Sequence, residues 1–187
     1  MTKLSIRLGE GISHLNRKTF IIGILAVATI TASAALLPSQ PDAQMDEVTT
    51  SMSALKSKTA ELGPPKIEGK EVVRTKNVPA LYFGTSKMNN FFDVVDDVVK
   101  ERGGTATLFV KAGDEYVRVA TNVKRDDGSR ATGTILDSNG PAIRMIKKGE
   151  PYYGEATILG KQYVAGYDPI KDASGAVIGI HYVGYLK

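Results

Sequence analysis

The sequence contains no cysteine, which removes thiolate nucleophiles, thiolate metal sites and any disulfide framework, and leaves the redox character of the compartment open. Histidine is nearly as scarce, with only His14 and His181 in 187 residues. His14 lies in an N-terminal arm ahead of the globular part, so a Ser-His-Asp triad or a histidine-rich zinc site would have to be assembled around His181 almost alone. The carboxylates do not compensate. Asp96-Asp97 and Asp126-Asp127 are adjacent pairs, and neighbours in a helix or turn diverge instead of forming a dyad. No motif sets a nucleophile beside a base; the expectation is a protein that is not an enzyme, with no cofactor and no metal.

A stripe of positive charge is also missing. The formal net charge is +4, but four of the 24 basic residues and one of the 20 acidic ones fall in the first nineteen positions, which leaves 20 and 19 downstream. The remainder is nearly neutral. Its densest basic cluster, Arg144 with Lys147-Lys148, falls short of the footprint that phosphate backbones require, so nucleic acid is not an expected partner.

One long uncharged run is present: Phe20 to Leu37 reads FIIGILAVATITASAALL, after Arg17-Lys18 and before Pro38, Pro41, Asp42, Asp46 and Glu47. At about 1.5 Å per residue it covers roughly 27 Å, close to a hydrocarbon core. Basic residues before it and acids after it orient the chain with its N-terminus inside and its C-terminus outside the cytoplasm. The alternative is a cleaved signal peptide, because Ala32-Ser33-Ala34 is an acceptable A-x-A site. The division expected is a basic cytoplasmic arm at 1–19, an anchor or signal segment at 20–38, a membrane-proximal helix at 39–63 and one exported domain at 64–187.

In the helix, Met45, Val48, Met52, Leu55, Thr59 and Leu62 recur in steps of three and four, a short heptad seam that serves either packing on its own domain or a parallel homodimer. Gly63-Pro64-Pro65 ends it. Residues 67–83 read as irregular or short strand. Asn89 or Asn90 caps a helix through Arg102, with acids early and Gly103-Gly104 at its end. From Thr105 the pattern is β-rich, with runs at 105–111, 116–123, 152–158, 162–167 and 176–185 separated by tight turns, and a short helix entered through Ser138-Asn139-Gly140-Pro141. The fold class expected is α+β: a five-stranded antiparallel sheet with flanking helices and a long N-terminal helix.

GGTATLFV (103–110), VRVATNVKRDDGSRATGTILD (117–137), GEPYYGEATILGKQYVAGYDPIKDASGAVIGIHYVGY (149–185) and the entry LGPPKIEGKEVV (62–73) together resemble a single Cache domain of the Cache 3/Cache 2 fusion type, an extracytoplasmic PAS-like sensor module of bacterial chemoreceptors and sensor kinases. The resemblance spans roughly residues 45–187, and what it implies is ligand sensing between the sheet and its cover. In citrate- and dicarboxylate-sensing relatives of this fold a strand of pattern I-R-x-x-H gives an arginine and a histidine to ligand carboxylates. The matching strand here keeps the cation as Arg118 and has Thr121 in place of the histidine. On the penultimate strand Ala165 stands where those relatives carry a second arginine. One guanidinium without a second cation fits a small monocarboxylate better than a di- or tricarboxylate. The competing reading leaves Arg118 exposed and paired with Asp114 or Glu155.

Tyr163, Ala165 and Tyr167 share one face of their strand by alternation, an amphipathic wall of the kind that lines small-molecule sites. Tyr152 and Tyr153 point to opposite faces, so at most one joins them; the pattern favours Tyr153. The ligand set expected is therefore Arg118, Thr121, Tyr153, Tyr163, Ala165 and Tyr167. The chain ends at Lys187, two residues after the domain, so the expectation is a single-pass inner-membrane module that signals through a separate partner protein. A soluble periplasmic binding protein and a truncated chemoreceptor or sensor kinase are the alternatives.

Overall fold

The computed structural model describes residues 40–187. The expected helix is α1 (Gln40–Glu61), with Pro41 in its first turn, where a missing N–H costs nothing. Gly63 stops it: its backbone at φ +118° suits glycine alone, and its N–H caps the Ala60 carbonyl at 3.0 Å. A Cβ at Gly84 would run into the Leu62 carbonyl, and one at Gly63 would lie 2.8 Å from the Gly84 Cα. Two glycines thus let the helix exit press directly on the turn after Phe83.

Residues 67–83, read from the sequence as irregular or short strand, fall in a regular hairpin. β1 (Pro65–Val73) pairs antiparallel with β2 (Lys76–Phe83), and β3 (Ser86–Lys87) completes a three-stranded sheet. A bulge between Ile67 and Lys70 absorbs Gly69, which is the break that obscured the strand pattern. The next helix, α2 (Asp93–Arg102), begins after Phe92 without a side-chain cap. The expected caps do other work: Asn89 accepts from the Leu81 N–H at 2.8 Å and donates to the Pro79 carbonyl at 3.1 Å, while Asn90 donates to the Val72 carbonyl at 3.0 Å. Both tie β1 and β2 down.

The remaining elements are β4 (Thr105–Ala112), β5 (Glu115–Thr121), α3 (Pro141–Ile146), β6 (Tyr152–Ile158), β7 (Lys161–Lys171) and β8 (Val177–Leu186). They build the five-stranded antiparallel sheet in the order β5-β4-β8-β7-β6. Alternation along each strand divides its burial in two. Leu108, Val110, Val164 and Val183 pack with Val48, Met52 and Leu55 of α1 and with Val94, Val95 and Val98 of α2. Phe109, Tyr163, Tyr167, Ile180 and Tyr182 pack on the opposite face with Ala142, Ile143 and Ile146 of α3.

Helices therefore cover both faces of the sheet. The heptad seam is used within the chain: Val48, Met52, Leu55 and Thr59 are at most 1% exposed, so these side chains hold α1 on its own sheet and are not available as a dimer seam. Among the described residues no helix is long and apolar enough to cross a membrane; the apolar segment at 20–38 and the arm at 1–19 lie outside them.

Candidate functional site

β5 is an edge strand, and the segment after it folds back to cover that edge. Arg118 donates its N–H to the Thr134 carbonyl and accepts from the Gly133 N–H, both at 2.9 Å, and Leu136 donates to the Tyr116 carbonyl at 2.9 Å. The cover satisfies the open backbone groups and carries Thr134 to the guanidinium. A bulge places Leu108 opposite Ala120 but Phe109 opposite Arg118, so Val119 is an extra residue. That shift of phase brings Arg118 and Thr121, three apart in sequence, to the same face.

Arg118 is 4% exposed. Its Nη1 donates to Thr134 Oγ1 at 2.7 Å, its guanidinium carbon lies 4.9 Å from the centre of the Phe109 ring, and its buried Nε has no partner. No ion pair among the described residues involves it. The exposed, paired arginine is thus excluded; Glu155 pairs with Lys187 at 2.6 Å instead. Burial holds the guanidinium pKa below its ordinary value, against the attraction of the Tyr167, Tyr182 and Tyr163 phenols. The same burial raises the phenol pKa of Tyr167 and Tyr182, so both stay protonated as donors. A buried cation with no counter-charge is costly unless an anion joins it.

A cavity of about 140 Å³ opens beside it. Arg118 and Tyr167 come from the sheet; Ala156 through Leu159 come from β6 and its turn; Ile135, Leu136, Asp137 and the Gly140-Pro141-Ala142 entry to α3 close the rest. The wall combines apolar groups with four polar residues, Arg118, Asp137, Thr157 and Tyr167, the mixture found in small-molecule sites.

Of the residues expected from the sequence, Arg118 and Tyr167 line this cavity. Tyr163 and Ala165 lie on the same face, buried in the aromatic cluster outside the lining. Thr121 shares the face as well, but its hydroxyl is engaged with Thr107 Oγ1 at 2.6 Å and with the Val123 N–H at 3.1 Å. Tyr153 points away from them. A Cβ on Gly166 would meet Tyr153 Cε1 at 2.7 Å and Val48 Cγ1 at 3.0 Å, so Tyr153 lies across Gly166 on the α1 face.

Tyr152 is the tyrosine of that pair on the cavity face. Its ring lies 6.2 Å from that of Tyr167, which in turn lies 5.0 Å from Tyr182. The preference for Tyr153 is corrected by strand register: Tyr152 faces across to Tyr167 and Tyr153 to Gly166. Sequence reading also missed Thr134, Asp137 and Tyr182. Tyr182 was accessible from its alternation with Ile180. The other two sit on a long loop with no periodicity to place them.

The family profile of the Cache 3/Cache 2 fusion domain matches residues 21–187. No curated protein matches the chain significantly. The match covers most of the chain, including every described element, and it agrees with the five-stranded antiparallel sheet and its helices; the chain belongs to the Cache 3/Cache 2 fusion family, whose domains sense small molecules outside the cytoplasm in signal transduction.

Proposed function

We propose that the chain is an extracytoplasmic sensor of a small monocarboxylate, held in the inner membrane by residues 20–38 and passing its signal to a partner protein. The observation that carries the ligand reading is the unpaired, buried Arg118 lining a small cavity. An incoming carboxylate supplies the close counter-charge that Asp137, the acid in the cavity's lining, does not, since Arg118 has no ion pair among the described residues, and a guanidinium in a dry site binds it strongly and specifically. Size supports a small acid, because an apolar cavity of about 150 Å³ holds benzene and this one is about 140 Å³. With Ala165 apolar and fully buried on the same face, a second carboxylate would find no cation there. The protonated Tyr167 hydroxyl is the donor for the second carboxylate oxygen.

The test is thermal unfolding of the full-length chain with two- and three-carbon acids, citrate and fumarate. Saturation at about a hundred times Kd adds roughly 2.7 kcal/mol, so a monocarboxylate raises Tm while the larger acids do not. Arg118→Ala abolishes the shift. Equal or tighter binding of dicarboxylates would refute the charge count. The basic-before, acidic-after flanks of 20–38 support the anchor; fractionation that recovers full-length protein in the inner membrane agrees with it, and a soluble periplasmic form beginning at Ala35 selects the secreted alternative.

A further inference from the structure

The cavity beside Arg118 has a second charge in its wall. Asp137, on the loop between β5 and α3, lines it together with Gly140, and Asp137 Oδ2 lies 3.2 Å from where a Gly140 Cβ would stand. Oδ1 accepts from the Asn139 N–H at 2.9 Å. Oδ2 has no hydrogen-bond partner among the described residues, and no side chain caps α3. Arg144 does not neutralise it: that guanidinium donates to the Asn139 carbonyl at 3.0 Å and enters no ion pair among the described residues. Asp137 is exposed, so its carboxylate stands at the mouth of the cavity.

At the inner end the guanidinium is closed on one side and open on the other. Nη1 is taken by Thr134, and Nε is sealed. Nη2 and the Tyr167 hydroxyl have no partner among the described residues, where the only side-chain atoms both unpartnered and closed off from solvent are Arg118 Nε and His181 Nδ1. Nη2 and the hydroxyl therefore keep a surface toward the cavity that both residues line. The charges that bear most on Arg118 are those of Tyr167, Tyr182, Arg125 and Tyr163, whereas the charge of Asp137 reaches the Tyr167 phenol and helps to raise its pKa. Tyr167 thus stands between the cation and the acid, which occupy opposite ends. The hydroxyl of Thr157, the remaining polar residue of the wall, accepts from the Gln162 side chain at 2.9 Å.

We infer that the cavity is built for a short ω-amino acid such as β-alanine, its carboxylate on Arg118 Nη2 and the Tyr167 hydroxyl and its ammonium on Asp137 Oδ2. This rests on the carboxylate reading above and narrows it to a zwitterion. An acid without an ammonium leaves Asp137 facing a bound charge of its own sign, a repulsion that the ammonium turns into attraction. An α-amino acid carries both charges on one carbon and cannot serve the two ends as well, whereas an ω-amino acid sets them apart. Its methylenes meet Ile135, Ala156 and Leu159. Size agrees, because β-alanine has as many non-hydrogen atoms as benzene, which a cavity of about 150 Å³ admits.

The experiment measures the affinity of the full-length chain for β-alanine, propionate and L-alanine by titration calorimetry, with thermal unfolding alongside. β-Alanine binds roughly tenfold or more tightly than either of the others. Asp137→Asn, which keeps an acceptor for the Asn139 N–H, brings β-alanine down to the level of propionate, and Asp137→Glu retains part of the preference. Propionate or L-alanine binding as tightly as β-alanine, or an Asp137→Asn variant that still prefers β-alanine, would overturn the ω-amino acid while leaving the carboxylate reading in place. No binding of any of the three would overturn both.

Discussion

The two faces of the five-stranded sheet bury different chemistry. Toward α1 and α2 the side chains are chiefly aliphatic, with Val48, Met52, Leu55, Leu108 and Val183 at its centre. Toward α3 they are chiefly aromatic, with Phe109, Tyr163, Tyr167 and Tyr182. Each face isolates one nitrogen, and the two are opposite in kind: Arg118 Nε is a charged donor without an acceptor, whereas His181 Nδ1 is a neutral acceptor without a donor, because Thr59, its hydroxyl proton directed back along α1, accepts from Nε2–H. Branched aliphatic groups fix how a helix sits. Phenols around a guanidinium keep a cation in a dry place while leaving it something to hold. The difference assigns the first face mainly to shape and the second mainly to charge.

The sharpest way to break this distinction is to damage each face equally. Leu55→Ala, at a fully buried position in the 22-residue α1, should cost about 3 kcal/mol or more in urea unfolding, within the range for leucine truncations. Ile143→Ala, in the six-residue α3, should cost about 2 kcal/mol because the short helix can settle into the space. Equal losses would mean that the aromatic face carries the fold as fully as the aliphatic one.

Acid probes the neutral nitrogen. The folded pKa of His181 is lowered from 6.5 to about 3, so between those values the unfolded chain binds the extra proton and stability falls as pH falls. At pH 5 this group alone removes about 2 kcal/mol, and His181→Gln should flatten that part of the pH profile relative to the parent. Identical slopes in the two proteins would show that His181 is already protonated in the fold.

Arg130 joins the two sides of the molecule. Its guanidinium grips Asp96 of α2 at 2.7 and 2.6 Å, donates to the Thr121 carbonyl at 2.8 Å and lies 4.4 Å from the Phe92 ring centre. Arg130→Ala should cost about 1.5 kcal/mol, with part of the loss masked at high salt because the pair is partly exposed. Tyr185→Phe is the smallest change, about 1 kcal/mol, since its hydroxyl joins Ser51 of α1 at 2.8 Å to the Arg102 carbonyl at 2.7 Å.

Much of the architecture was legible because periodicity reports burial directly. The three-four spacing from Met45 to Leu62 marked α1 with its buried stripe, and the tight turns marked β4 through β8. What the spacing did not contain was the identity of the surface it would meet: an intramolecular seam and an intermolecular one use the same residues. Asn89 failed as a cap because its side chain had better partners in β2, contacts that arise only after the chain has folded. That Arg118 and Tyr167 would come to one face was readable from strand alternation and family pattern. Tyr153 was misplaced because a pair of adjacent tyrosines carries no mark of which one a register will turn inward, and Thr134 reaches Arg118 through a loop whose path follows from covering an edge.

The glycine contact at the exit of α1 has a mechanical consequence. With the Leu62 carbonyl against Gly84 and no side chain between them, that end of the helix is the fulcrum about which any tilt of α1 would turn. The 22 residues of α1 make a lever roughly 33 Å long at about 1.5 Å per residue, so a tilt of about five degrees displaces the Gln40 end by roughly 3 Å while the pivot stays nearly still. A sub-ångström displacement close to that fulcrum would be several-fold larger at the Gln40 end, by the lever's length alone.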